Sequence, residues 1–220
     1  MKEPTTPLRI EPRWPVALAL LAVILLLALL PGRVRFVPIW LPYLLGVSLL
    51  VPMAAVALST EKARWLRVEH AVRLIFIVVA LGGTLANLAN VVDAMVSRAT
   101  EVSGMQLLAS SIAVWVNNVL AFSLLYWQID RGGPEERAND AGVRPDWLFP
   151  QVGAVEDAPP GWRPTFVDYL FLSYSTATAF STTEVAPLTS RAKLLMMLES
   201  TISLVTIVVV ASRAINILGS

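Results

Sequence analysis

The chain of 220 residues contains no cysteine and a single histidine, His70. Disulfide scaffolds, thiol nucleophiles and cysteine-ligated metal centres are therefore excluded. Charge is also scarce. Only 15% of residues are Asp, Glu, Lys or Arg, and the formal net charge is +1. Proteins that grip nucleic acid neutralise phosphates with a surplus of Lys and Arg, so no nucleic-acid partner is expected. HExxH, GxSxG and phosphate-loop patterns are missing, and no nucleophile, base and orienting group converge in the sequence. An enzyme is not expected, nor a cofactor or a resident metal. No internal repeat is visible.

What the chain has instead is apolar residues, 56% of the total, gathered into long runs. A bilayer core needs roughly 20 consecutive apolar residues per helix. Runs of this kind cover Trp14–Leu30, Pro38–Leu58, Val72–Val92, Met105–Trp127 and Ala192–Leu218. The composition predicts an all-α integral membrane protein with about five transmembrane helices plus a re-entrant element, its partner being the lipid bilayer. The expected organisation is an N-terminal tail (1–13), a four-helix transmembrane region (14–127), a polar acidic loop (128–165) and a terminal hairpin with the last helix (166–220). Lys2, Arg9 and Arg13 ahead of an apolar run resemble a signal peptide, but "PGRVRF" follows rather than small residues, so a retained first span is expected. Pro42 and Pro52 would kink the second run. Trp14, Trp40, Tyr43, Trp65, Tyr126 and Trp127 fall at run ends, where amphipathic rings sit at headgroup level.

Polar residues inside apolar runs need partners. Asn87, Asn90 and Asp93 lie three apart and share roughly one helix face, just after Gly82, Gly83 and Ala86. This pattern fits a small-residue helix contact joined by amide hydrogen bonds, or a polar lining. Asn117 and Asn118 pose the same choice. His70, beside the basic run "EKARWLRVEHAVR", is expected to be structural.

The segment after Phe166 is different. From Phe166 to Phe180 a helix would reach about 22 Å, too short to cross the core. Beyond it stand Ser181, Thr182, Thr183, Val185 and Pro187, which do not favour helix. The element is expected to dip in, stop and return as irregular backbone. Such backbone survives at membrane depth only where protein buries it or where it lines a watery cavity.

The stretch "DYLFLSYSTATAFSTTEVAPLTSRAKLLMMLE", Asp168–Glu199, resembles the pore region of the potassium-channel superfamily. Asp168, Phe171 and Tyr174 fall where such channels start and pack the pore helix, and Thr176 and Thr178 match its closing threonines. Glu184 matches the acid after the filter, Pro187 and Thr189 the outer turn, and Ala192–Leu195 with Glu199 the start of the inner helix. The filter itself departs from the family. Ser181 and Thr183 replace the glycines whose left-handed angles aim carbonyls at the ion, and Thr182 replaces the aromatic residue. Ser203 stands in place of the hinge glycine. The resemblance therefore implies a weakly selective pore for monovalent cations in a homotetramer. Its filter-like wall is Thr176, Thr178, Ala179, Phe180, Ser181, Thr182, Thr183 and Glu184. Glu199, Ser203, Thr206 and Val209 belong to the inner-helix cavity and hinge. The alternative is a non-conducting membrane interaction or assembly protein, with Trp147, Phe149 and Trp162 as its partner-facing surface.

The charge tally sets the expected orientation. With a cytoplasmic N-terminus, 13 of the 17 Lys and Arg residues fall inside, as the positive-inside rule favours. This places a multi-pass protein in the inner (plasma) membrane with its filter-like loop on the cytoplasmic side, inverted relative to the channels it resembles, unless Phe166–Glu184 crosses fully as a sixth span or the proline-rich second run changes the span count by one.

Overall fold

The computed structural model describes residues 11–12, 14–29, 40, 47, 51, 62–97, 104–139, 142–154, 156–178 and 185–218. Of the described residues, 79% are helical. The helices are α1 (Trp14–Leu29), α2 (Lys62–Ser97), α3 (Gly104–Ile129), the short α4 (Pro134–Ala138), α5 (Phe166–Thr178) and α6 (Ser190–Leu218). Two-residue strands, β1 (Trp147–Leu148) and β2 (Ala186–Pro187), pair antiparallel. Segments His70–Asp93, Leu108–Gly132 and Ser190–Ser212 are long and apolar enough to cross a membrane, and Trp14–Leu26 is a shorter apolar helix. The expected span at Pro38–Leu58 lies outside the described residues.

Helix α3 is the axis of the bundle and packs against α1, α2, α5 and α6. Over its apolar window 56% of residues are buried, against 28% for α6. Helix α2 runs antiparallel to α3: Gln128 donates from Nε2 to His70 Nδ1 at 2.7 Å, and a little further along α2, Asn117 Nδ2 donates to Thr84 Oγ1 at 2.6 Å. Helix α6 is also antiparallel to α3, with the start of α6 near the end of α3. Arg191 Nη2 reaches Ile129 O, and Trp115 Nε1, deep in α3, donates to Ser203 Oγ.

The polar segment after α3 folds as a cap on one end of the bundle. Arg131, Gly132 and Gly133 all have positive φ (53°, 81° and 109°), which turns the chain sharply out of α3. At Gly133 a Cβ would stand 3.1 Å from Gln128 O, so glycine serves both the angle and the close approach. Trp147 and Phe149 are buried, with the Trp147 ring 4.7 Å from that of Tyr126 and Phe149 edge-on to Tyr169 at 5.3 Å. Burial of a large aromatic ring is worth several times a buried methylene, and this layer closes the core at the capped end. Arg137 is buried beneath it. Its guanidinium donates to Glu11, to Trp127 O and to Asp130 O, and it stacks 5.0 Å from the Tyr169 ring.

Several sequence expectations change. The basic run from Lys62 to Arg73 is the first three turns of α2, not a loop, because it holds no Pro or Gly to break a helix. Tyr126 and Trp127 are buried rather than set in an interfacial belt. Trp14 and Trp40 are exposed, as belt residues should be. Gly82 and Gly83 have nothing within 4 Å of an added Cβ, so they make no close helix contact among the described residues; the α2–α3 contact runs through Thr84 and Asn117 instead. Trp147 and Phe149 face inward and Trp162 is half-buried, so they form no free partner surface.

Candidate functional site

Helix α5 begins just after Thr165, which the Asp168 carboxylate holds from within the first turn. Thr165 donates its N–H (2.7 Å) and its hydroxyl (2.8 Å) to Asp168 Oδ2, three residues on. Helix α6 begins with Thr189, whose Oγ1 accepts from Ala192 N at 3.2 Å. These caps explain why both helices start where they do. Both starts lie at the capped end. Tyr169 donates to Asp130 Oδ2 at 2.5 Å, and Arg191 grips Asp146 through Nε (2.7 Å) and Nη2. The hydroxyl of Thr189 joins Asp146 at 2.6 Å, and Leu188 N–H donates to Asp146 O at 2.8 Å. Asp146 itself donates its N–H to Asp130 Oδ1 at 2.7 Å.

The two helices therefore run in the same direction. Successive contacts confirm the register: Ser173 Oγ lies against Glu199 Oε1, Ser200 Oγ donates to Thr176 O, and Ser203 Oγ donates to Ala177 O. Ser203 is 13 residues into α6, so α5 ends about 20 Å in from the capped end. By Val185–Pro187 the chain is back beside β1 at that end. The last carbonyls of α5, which have no partner within their own helix, are thus met by α6 hydroxyls.

Glu199 is the buried acid of this arrangement, at 0% exposure between α3, α5 and α6. Tyr126 donates to its Oε2 at 2.5 Å, and Asn118 Nδ2 donates to its backbone carbonyl at 3.2 Å. Ser173, packed on Oε1, is also 2.7 Å from Val119 O. Among the described residues no cation pairs with this carboxyl. The amide oxygens of Asn117 and Asn118 and the hydroxyl of Ser110 are buried without a hydrogen-bond partner, so the inward side of α3 carries polar capacity not used within the fold.

The sequence-predicted residues divide into three groups. Thr176 and Thr178 close α5, with their hydroxyls bonded back to Leu172 O (2.8 Å) and Tyr174 O (3.0 Å). Ala179, Phe180, Ser181, Thr182, Thr183 and Glu184 lie outside the described residues. Glu199, Ser203, Thr206 and Val209 all fall on the buried side of α6. Thr206 Oγ1 bonds to Ile202 O at 2.7 Å, and Ser203 is shared by Trp115 and Ala177. Tyr126, Ser173 and Ser200 could not be read as partners, since they lie 24 to 73 residues from the groups they serve. Two signals were available: Asn118, an amide inside an apolar run, and Glu199, an acid in another, both of which must find partners.

No protein-family model matches the chain, and no curated protein or solved structure is significantly similar to it.

Proposed function

We propose that the protein is a multi-pass inner-membrane protein whose α3–α5–α6 unit acts as a channel-like pore module, assembled as a homotetramer into a weakly selective pore for monovalent cations. One observation carries this reading. A 13-residue helix enters beside α6, stops about 20 Å in, and the chain is back at its starting end by β2. A half-crossing helix of this kind is useful to a membrane protein chiefly where its inner end faces a water-filled path. The helix C-terminus carries partial negative charge, which favours a cation beyond it. Thr176, Thr178, Ser181, Thr182 and Thr183 would supply oxygens to the constriction, and Glu184 an acidic ring.

The burial pattern assigns faces within that module. The side of α6 holding Glu199, Ser203, Thr206 and Val209 is covered by α3 and α5. The open stripe is Leu194, Met197, Thr201, Leu204 and Val208, spaced three and four apart. In a tetramer this stripe would line the central cavity, where apolar rings can close a pore by dewetting. Val167, Phe171 and Tyr174 form the exposed stripe of α5 and would meet a neighbouring copy.

The capped end would be cytoplasmic. It gathers Arg73, Arg131, Arg137, Arg144, Arg163 and Arg191, in line with the positive-inside rule. Helices α1 and α2 both start there.

Purified protein in liposomes tests the proposal. Cation flux from a tetramer, with Glu184→Gln reducing the preference for cations over anions, supports it. A tetramer that leaks nothing would assign the non-conducting assembly role, and a monomer would remove the pore altogether.

A further inference from the structure

A second feature, independent of conduction, lies in the cap. A cavity of about 360 Å³ opens between the turn that leaves α3 and the strip from Gln151 to Pro164. That volume is at the lower end of small-ligand sites. Arg131, Arg137 and Arg163 line it, together with Gln151, Pro160 and Trp162. The cap is rich in acids, with Asp130, Glu135, Glu136, Asp146, Glu156 and Asp157, yet none of them lines this cavity.

The arginines differ in how they are held. Arg137 is neutralised by Glu11 at 2.9 Å. Arg163 donates from Nη1 to Arg137 O and Ala138 O, which fixes its plane at the cavity wall. Arg131 has no ion-pair partner among the described residues. Its Nε is buried without an acceptor, and Gln151 Oε1 in the same wall is buried without a donor. Arg131 also sits at φ 53°, a conformation that side chains larger than Asn adopt rarely. A site with three guanidinium groups, no carboxylate among the described lining residues and a proline–tryptophan wall is built for an anion with some apolar bulk. Guanidinium groups match the oxygens of phosphate in geometry and charge.

We infer that this cavity binds a phosphate-bearing anion, with Arg131 and Arg163 as its principal donors and Gln151 positioned to meet a hydroxyl. The cavity adjoins the end of the apolar segment Leu108–Gly132, so the phosphate could come from a lipid headgroup or from solution. The inference does not depend on the pore reading.

The test uses full-length protein in nanodiscs of purely zwitterionic lipid. Inorganic phosphate is titrated by calorimetry, and a parallel sample carries phosphatidylglycerol, read by native mass spectrometry for lipid retained per chain. Saturable binding of phosphate supports a soluble ligand, and retention of one anionic lipid per chain supports the headgroup. Arg131→Asn keeps a residue that tolerates positive φ and should weaken either binding by at least about tenfold, the loss of one charged hydrogen-bond donor. Gln151→Leu should weaken it less. The inference is overturned if neither ligand binds in preference to chloride or zwitterionic lipid. It is also overturned if Arg131→Asn binds as the parent does while unfolding at the same temperature.

Discussion

Replacing Glu199 by Leu tests whether the buried carboxyl holds the three central helices together. The side chain is fully enclosed, so the effect follows from hydrogen-bond accounting. Ser173 keeps Val119 O as an acceptor, and Asn118 keeps the backbone carbonyl of residue 199. Only the Tyr126 hydroxyl is stranded. A buried donor left without an acceptor costs about 1–3 kcal/mol, and in a chain of this size that lowers the unfolding midpoint by about 2–12 °C. Adding Tyr126→Phe removes the stranded group, so Glu199→Leu with Tyr126→Phe should recover most of the loss. Glu199→Gln should be close to neutral. Its amide oxygen accepts from Tyr126, and its N–H₂ donates to Ser173, which then donates to Val119 O. The assay is thermal unfolding of the parent, Glu199→Leu, Glu199→Gln, Tyr126→Phe and the double variant in identical nanodiscs. An unchanged midpoint for Glu199→Leu, or strictly additive losses in the double variant, would refute the network.

Other consequences are open to simpler measurements. Glu11→Gln leaves the buried Arg137 without its counter-charge and should cost about 3 kcal/mol or more, visible as a lowered unfolding midpoint; a midpoint within 1 °C of the parent would count against the ion pair. Asp146→Ala removes the acceptor for Arg191 and Thr189. Because Arg191 is 58% exposed and can rehydrate, the loss should be smaller, about 1–2 kcal/mol. Thr165→Ala should cost about 1 kcal/mol through the start of α5, with Asp168→Ala adding little more if the two act as one cap. The absence of native cysteine allows a clean topology test: Arg144→Cys, on the exposed part of the cap, should resist an impermeant maleimide in intact cells and react after permeabilisation. Rapid labelling of intact cells would place the cap outside.

Much of the helix plan was legible in the sequence. The run Met105–Trp127 became α3 at Gly104–Ile129, and the short element predicted from Phe166 became α5, ending at Thr178. Apolar periodicity and the Thr165–Asp168 cap are local signals, and a single sequence carries them well. The cap on the bundle was not legible. Its polarity suggested a solvated loop, but it folds because Trp147 packs on Tyr126 and Phe149 on Tyr169, and Asp130 and Asp146 bridge elements far apart in the chain. Within the candidate site, Glu199 was singled out only through the resemblance of its segment to a channel inner helix. The face it occupies was not, because which side of α6 meets α3 depends on Tyr126 and Trp115, 73 and 88 residues from their partners.

The shared direction of α5 and α6 also bears on the order of assembly. A 13-residue helix is too short to be threaded across a bilayer by hydrophobicity alone. Among the described residues, Ser200 and Ser203 of α6 donate to Thr176 O and Ala177 O, and Ser173 bonds both to Val119 O on α3 and to Glu199 on α6. The seating of α5 therefore depends on the cleft that its two longer neighbours, α3 and α6, line between them.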